Sequence, residues 1–498
     1  MTVDTVHGPV GGHADGDGVL SFLGIPYAAP PVGPRRFMPP VPPQPWTDVR
    51  YGRDYGPTAP QVRAAGPVAQ LLPGEPILGD DYLNLNIWTP DTDGARPVMV
   101  FIHGGSFTSG SGAIPTYNGS QFARHGVVLV TINYRLGADG FLWFGDGTPN
   151  LGLLDQIAAL AWVRDNIRAF GGDPANVTIC GESAGAMSVC TLLAMPAATG
   201  LFRRAIAQSG AARCVIGPDS AVRIGARLAE ILGVAATRAA IAAVPMPRLL
   251  AAQSQLSQEV AAEPDPQRWG DVARNIMPFE PVVDGHLLPA APIQALRGGA
   301  GADVDILVGT NVDEANLFFV PTGVVDQADH EALSQFVRAR RYPPSVISAY
   351  RTARPDSSYG ELMAAIMTDG FYRIPALEVA RAHPGTYIYE FAWRSPAFDG
   401  ALGACHALEL PFVFDNLDAP GYAALLGARP PRRLAESMHR AWSAFAATGD
   451  PGWPPYDDRG RPVLRFGTSD ELTASERADE DAVWDSEGET EAERVSRE

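Results

Sequence analysis

The sequence predicts an α/β protein: a mostly parallel, twisted sheet with helices on both faces. Three observations lead there. The runs 97–102 (PVMVFI) and 127–132 (VVLVTI) are continuously apolar rather than alternating, as strands buried on both faces are. Such runs alternate with helix-like segments, and strand–helix repetition is the pattern of a right-handed parallel sheet. Finally, a glycine-flanked serine, Gly181-Glu182-Ser183-Ala184-Gly185, falls between a predicted strand and a predicted helix.

Taken in order, the first 60 residues are rich in Gly and Pro and read as short strands and turns, among them 19–23. Residues 83–88 alternate with period two. A helix is expected at about 153–167, where Leu153, Leu154, Ile157, Leu160, Ala161 and Val163 recur at helical spacing. A strand at 177–179, a small-residue helix from just after Ser183 to about Leu193, and a strand at 205–208 follow. From about 222 to 296 the chain is Ala-rich and helical, with no strong strand, and reads as a cap inserted between sheet elements. The sheet resumes at 305–308, a second helical insertion spans about 329–382, and 387–391 is a further strand. Residues 1–469 thus form one domain. Residues 470–498 hold 12 acidic and 3 basic side chains, so 12 − 3 = 9 of the 18 net negative charges, and are expected to be a solvated, partly disordered tail.

Composition excludes several chemistries. All 38 basic side chains are arginine. Without lysine there is no Schiff base, no phosphate-loop Lys and no Ser-x-x-Lys acyl enzyme. A net charge of −18 argues against nucleic acid. Four cysteines do not make a disulfide framework; Cys180, Cys190, Cys214 and Cys405 are expected as buried thiols. No run of ~18 apolar residues and no secretory pattern is present, so no membrane contact and a cytoplasmic location are expected. No His/Cys/Asp cluster has ligand spacing, so neither metal nor cofactor is expected. The expected partner is a small-molecule ester, and the expected state a monomer or weak homodimer.

The serine motif has a mechanical reading. The turn from strand to helix is so tight that residues two away must be small, and the helix amino terminus then faces the reacting centre. His103-Gly104-Gly105-Ser106-Phe107 directly follows the strand ending at Ile102, where a glycine pair lets backbone N–H groups point at an oxyanion, together with that of Ala184. A serine needs a general base, and the base an orienting acid. Of nine histidines, His406 lies late in the chain in the glycine-bearing loop GACHALELPF, His286 in the turn VVDGHLLP, and His103 in the oxyanion loop. Asp313 and Glu314 follow the strand in GTNVDEANLFF. Phe107, Phe318, Phe319, Phe371, Trp393 and Phe398 lie near these loops as candidate linings of an apolar gorge.

Together these motifs resemble the type B carboxylesterase family of the α/β-hydrolase superfamily, which includes the cholinesterases. FLGIPYAAPPVGPRRF with Trp46 is similar to the family's amino-terminal signature, and NLGLLDQIAALAWVRDNIRAFGGDPANVTICGESAGA to its central one. DDYLNLNIW, NYRLGADGF, VDEANLFF, GACHALELPFVF and FAATGDPGWPPY resemble further landmarks, collinear over most of the chain. The resemblance implies Ser183 as nucleophile, Glu314 rather than Asp313 as orienting acid, and His406 as base. It implies Gly105, Ser106 and Ala184 as oxyanion donors, with Glu182 and Ser209 buttressing the histidine. The implied function is hydrolysis of alkyl or aryl carboxylic esters through an acyl-enzyme, with activity rising with pH near the free histidine value of ~6.5. Amides, carbamates or lactones are the alternative substrates, and a non-catalytic binding module the remote one. The sequence departs from the family in having Ser106 where many relatives have glycine, and Tyr82 where animal members have cysteine; it is also shorter than those members.

Overall fold

The computed structural model describes residues 1–14, 18–63, 65–72, 74–474 and 478–485. Its strands are β1 (Thr2–Thr5), β2 (Gly8–Gly11), β3 (His13–Ala14), β4 (Leu20–Pro26), β5 (Arg50–Tyr51), β6 (Asn84–Thr89), β7 (Arg96–Ile102), β8 (Val128–Ile132), β9 (Gly172–Glu182), β10 (Arg204–Gln208), β11 (Asp305–Asn311), β12 (Tyr387–Phe391), β13 (Pro462–Phe466) and β14 (Glu471–Ala474). β1, β2 and β5 form a small sheet. The other eleven form one large sheet in the order β14-β13-β12-β11-β10-β9-β7-β8-β6-β4-β3. The seven strands from β13 to β8 in that order run parallel; the margins are antiparallel.

The continuous apolar runs have the expected cause. On β7, Val98, Val100 and Ile102 join one hydrophobic core, whereas Met99 and Phe101 join a second. Alternate side chains point to opposite faces, and both faces are covered, so neither can be polar. The predicted helix near 153–167 spans Leu151–Asn166, and the one after Ser183 spans Ala184–Leu193. Two helical insertions interrupt the sheet. One lies between β10 and β11, with helices Pro218–Leu232 and Met246–Ala262 the longest. The other lies between β11 and β12 and includes His330–Ala339, Tyr359–Met367 and Ile374–Ala382, the last two joined by a π-helical turn, Thr368–Arg373.

The carboxyl-terminal expectation needs correction. Residues from Asp470 onward do not leave the fold at 469. β14 pairs with β13, and the helix Ala478–Asp485 docks on the second insertion. Its acidic residues meet arginines: Glu480 pairs with Arg354 Nε at 2.9 Å, and Asp481 with Arg373 Nη1 at 2.6 Å and with Arg461. Trp484 is buried and donates to the Tyr350 hydroxyl at 3.1 Å. Composition alone misreads this segment because its charges are satisfied by distant arginines, and one tryptophan anchors it. The remainder, 486–498, lies outside the described residues. The four cysteines are free and buried, and Tyr82 donates instead to buried Asp139 at 2.8 Å.

Parallel strands bring their carboxyl ends to one edge, where open α/β sheets place their crevice. The loops after β7, β9, β11 and β12 therefore converge there, carrying residues 103–106, 183, 314 and 406.

Candidate active site

Ser183 stands at the turn between β9 and the helix Ala184–Leu193, with φ 55° and ψ −125°. That backbone is costly for a non-glycine residue and persists only where the surroundings over-determine it. They do so here. A Cβ on Gly185 would lie 2.0 Å from the Ile102 carbonyl oxygen, and one on Gly181 2.4 Å from the Gly185 backbone. Both glycines are thus steric requirements of the turn. The Ser183 N–H donates to the Gln208 carbonyl at 2.9 Å, tying the turn to β10.

The loop after β7 is held open by positive φ at Gly105 (110°), Ser106 (53°) and Phe107 (58°). The Gly105 carbonyl turns back to accept from the N–H groups of Thr108 and Ser109 at 2.9 and 3.0 Å. Among the described residues, the N–H groups of Gly105, Ser106 and Ala184 have no backbone acceptor outside the regular elements. Donors left free beside a helix amino terminus suit an oxyanion. His103 points away: burial lowers it to about 4, and its Nδ1 bonds the Gly104 carbonyl at 2.8 Å, so it stays neutral.

His406 receives Glu314. Its Nδ1 donates to Glu314 Oε2 at 2.7 Å, while Glu314 Oε1 accepts the Asn311 N–H at 2.8 Å. Asp313 turns elsewhere, to Arg394 at 3.2 Å and to the Ala404 N–H at 2.9 Å. The structure thus separates two adjacent carboxylates that the sequence alone left open. His286 has no part in this cluster.

Glu182 Oε1 lies 3.1 Å from His406 Nε2, so the imidazole sits between two glutamates. A third, Glu409, is also buried and is held by Asn311 Nδ2 at 2.7 Å and Gln208 Nε2 at 3.1 Å. Burial opposes the charged imidazolium, but Glu182, Glu314 and Glu409 outweigh it and raise His406 to about 9. Burial raises Glu182 to about 8 and Glu409 to about 7. The expectation of a near-free histidine value therefore fails, because these anions are supplied by three separate segments. Ser209 also departs from expectation: its buried hydroxyl has no hydrogen-bond partner among the described residues, the imidazole included.

Ser183, His406, Glu182, Gly105 and Ser106 line one cavity of about 360 Å³. Of the candidate gorge aromatics, only Phe318 lines it, its ring 5.4 Å from that of His406. Phe107 packs on Phe141, Trp393 on Phe412 and Phe371 on Tyr372, and Phe398 is exposed. Sequence reasoning missed Tyr117 and Tyr422 in the lining, and Tyr372 at 5.0 Å from His406. It also missed Glu409, whose only local signal is its place three residues after His406. Among the described residues no group of three His, Cys, Asp or Glu is set to hold a metal.

A family model described as "Carboxylesterase family" matches residues 1–484. Para-nitrobenzyl esterase of Bacillus subtilis (strain 168) is 39% identical over 486 residues, covering 93% of this chain and 94% of that protein. Phenmedipham hydrolase of Pseudarthrobacter oxydans is 36% identical over 498 residues, covering 96% and 97%. A solved carboxylesterase of Geobacillus stearothermophilus superposes with a TM-score of 0.85 at 39% identity, covering 97% of this chain and 99% of its own.

Proposed function

The chain belongs to the carboxylesterase family and is a carboxylic ester hydrolase of the α/β-hydrolase fold, and from that premise we propose that it works through an acyl-enzyme on Ser183. Neutral His406 takes the Ser183 proton through Nε2 as the hydroxyl attacks the ester carbonyl. Glu314 fixes the tautomer, with the proton on Nδ1, and stabilises the imidazolium that forms. The N–H groups of Gly105, Ser106 and Ala184 receive the tetrahedral oxyanion. His406 then protonates the leaving alcohol, and water repeats the cycle on the acyl-enzyme. Glu182 sits against Nε2 and favours the imidazolium, the form that appears as the reaction proceeds.

One observation carries this reading: a strained serine, an imidazole bonded to a buried carboxylate, and the loop offered as oxyanion donor border the same cavity. The same groups serve amides, carbamates or lactones, because the acyl-transfer machinery is shared. A cytoplasmic location and a monomeric or weakly dimeric state belong to this proposal. The free thiols support the former, and among the described residues no helix is long and apolar enough to cross a membrane.

The test is mass spectrometry after an organophosphate, beside turnover of a p-nitrophenyl ester series. An adduct on Ser183 with turnover is expected. An adduct without turnover favours the amide or carbamate reading. Neither adduct nor turnover refutes the assignment and revives the binding-module reading.

A further inference from the structure

A second cavity, of about 240 Å³, lies at the β14 margin of the large sheet, between β11–β14 and the helix Ile374–Ala382. It shares no lining residue with the Ser183 cavity. Thr310, Glu390 and Arg465 are partners in register on β11, β12 and β13, and all three line it. Side chains in register point to the same face of a parallel sheet. Ile388 and Val463 lie two residues before Glu390 and Arg465 and so share that face. With Leu377 of the covering helix they make the apolar wall.

The fold leaves two polar groups of this cavity unsatisfied. Thr310 is 4% exposed, yet its hydroxyl has no hydrogen-bond partner among the described residues. Buried hydroxyls are normally bonded. Arg465 meets Glu390 through Nε at 3.4 Å and, among the described residues, makes no hydrogen bond with its two Nη groups. Arg373, which also lines the cavity, is by contrast fully engaged: its Nε and Nη2 donate to Asp369 and its Nη1 to Asp481. The Arg465 side chain, 44% exposed, marks the mouth of the cavity and Thr310 its depth. Two strand spacings separate them, roughly 10 Å between Cα atoms.

We propose that this cavity is a second ligand site, which takes a short-chain carboxylate carrying a hydroxyl at its far end. The carboxylate pairs with the Nη edge of Arg465, a planar fork that matches its two oxygens. The methylenes lie along Leu377, Ile388 and Val463, and the terminal hydroxyl meets that of Thr310. Glu390, between the two, disfavours a second carboxylate at the far end. An apolar cavity of about 150 Å³ holds benzene, so 240 Å³ admits a chain of roughly six carbons.

The experiment is isothermal titration calorimetry of the full chain with 6-hydroxyhexanoate, hexanoate and 1,6-hexanediol. Affinity should fall in that order, with the diol roughly tenfold or more below the hydroxy acid. Arg465→Met should weaken the hydroxy acid roughly tenfold. Thr310→Val should bring the hydroxy acid down to the level of hexanoate and leave hexanoate unchanged. Both variants should keep the wild-type melting temperature, since one removes a partly exposed side chain and the other conserves shape. No binding by the wild type, or an affinity for the hydroxy acid unmoved in either variant, overturns the proposal. Binding should also persist in protein treated with an organophosphate that occupies Ser183. Loss of binding on that treatment would place the ligand in the catalytic cavity and overturn the proposal as well. A protein that takes no adduct counts against the esterase reading alone, because the two variants locate the ligand without it.

Discussion

His406 Nε2 lies 3.1 Å from Oε1 of Glu182, the residue immediately before the serine at the strand–helix turn. The nitrogen assigned to accept the serine proton therefore faces a carboxylate in the resting site. The two groups titrate as one unit, and a kinetic midpoint belongs to the pair. Because the base works when neutral, activity should rise with pH through a midpoint above the free histidine value of ~6.5. Removing the Glu182 charge removes a field that favours imidazolium, so Glu182→Gln should move the midpoint of kcat/KM to lower pH. A pH–rate profile of both proteins checks this; an unmoved midpoint, or one moved upward, contradicts it.

Ser183→Ala should lower kcat by roughly 10⁴–10⁶-fold. The turn is defined by Gly181, Gly185 and the backbone of residue 183, so the variant should keep its melting temperature within a few degrees. Turnover near wild type would end the acyl-enzyme assignment.

The neighbouring carboxylates should separate in kinetics as they do in space. Glu314→Gln leaves His406 without its anionic partner and should cost roughly 10⁴-fold in kcat. Asp313→Asn loses a pair with the exposed Arg394 and weakens a bond to the Ala404 N–H, so its loss should be far smaller. Equal losses in a parallel kcat measurement would argue against Glu314 as the orienting acid.

Gly185→Ala should fail as a structural change rather than a chemical one. Its methyl would meet the Ile102 carbonyl oxygen at 2.0 Å, backbone that cannot swing aside. We expect loss of soluble protein or a large fall in melting temperature. A soluble variant with wild-type stability would contradict the steric account of the turn.

Arg373 lies buried between Asp369 and Asp481 and fastens the carboxyl-terminal helix to the π-helical turn. Arg373→Met leaves buried Asp369 without this cation and Asp481 with Arg461 as its remaining partner, and should lose about 3–5 kcal/mol of stability. Urea denaturation followed by tryptophan fluorescence, with Trp484 as a nearby reporter, measures it. A loss below about 1 kcal/mol would mean the cluster is not what holds that helix.

The sequence by itself determined the parallel sheet, the strand–serine–helix turn and the glycine loop that opens its oxyanion side. Each shows in consecutive residues: apolar runs of strand length, helical spacing, and glycines flanking the serine at the strand–helix turn. Family resemblance extended this to Glu314 and His406. Only the tertiary structure decided what surrounds the imidazole. Glu182, Glu314 and Glu409 come from separate loops, and their joint burial, invisible to local pattern, sets the charge of His406. It also overruled composition at 470–485, where acidic residues fold because Arg354, Arg373 and Arg461 await them more than a hundred or about twenty residues away. Apolar periodicity and turn chemistry belong to consecutive residues and can be read from the sequence, whereas desolvation and ion pairing act between groups that only folding brings together.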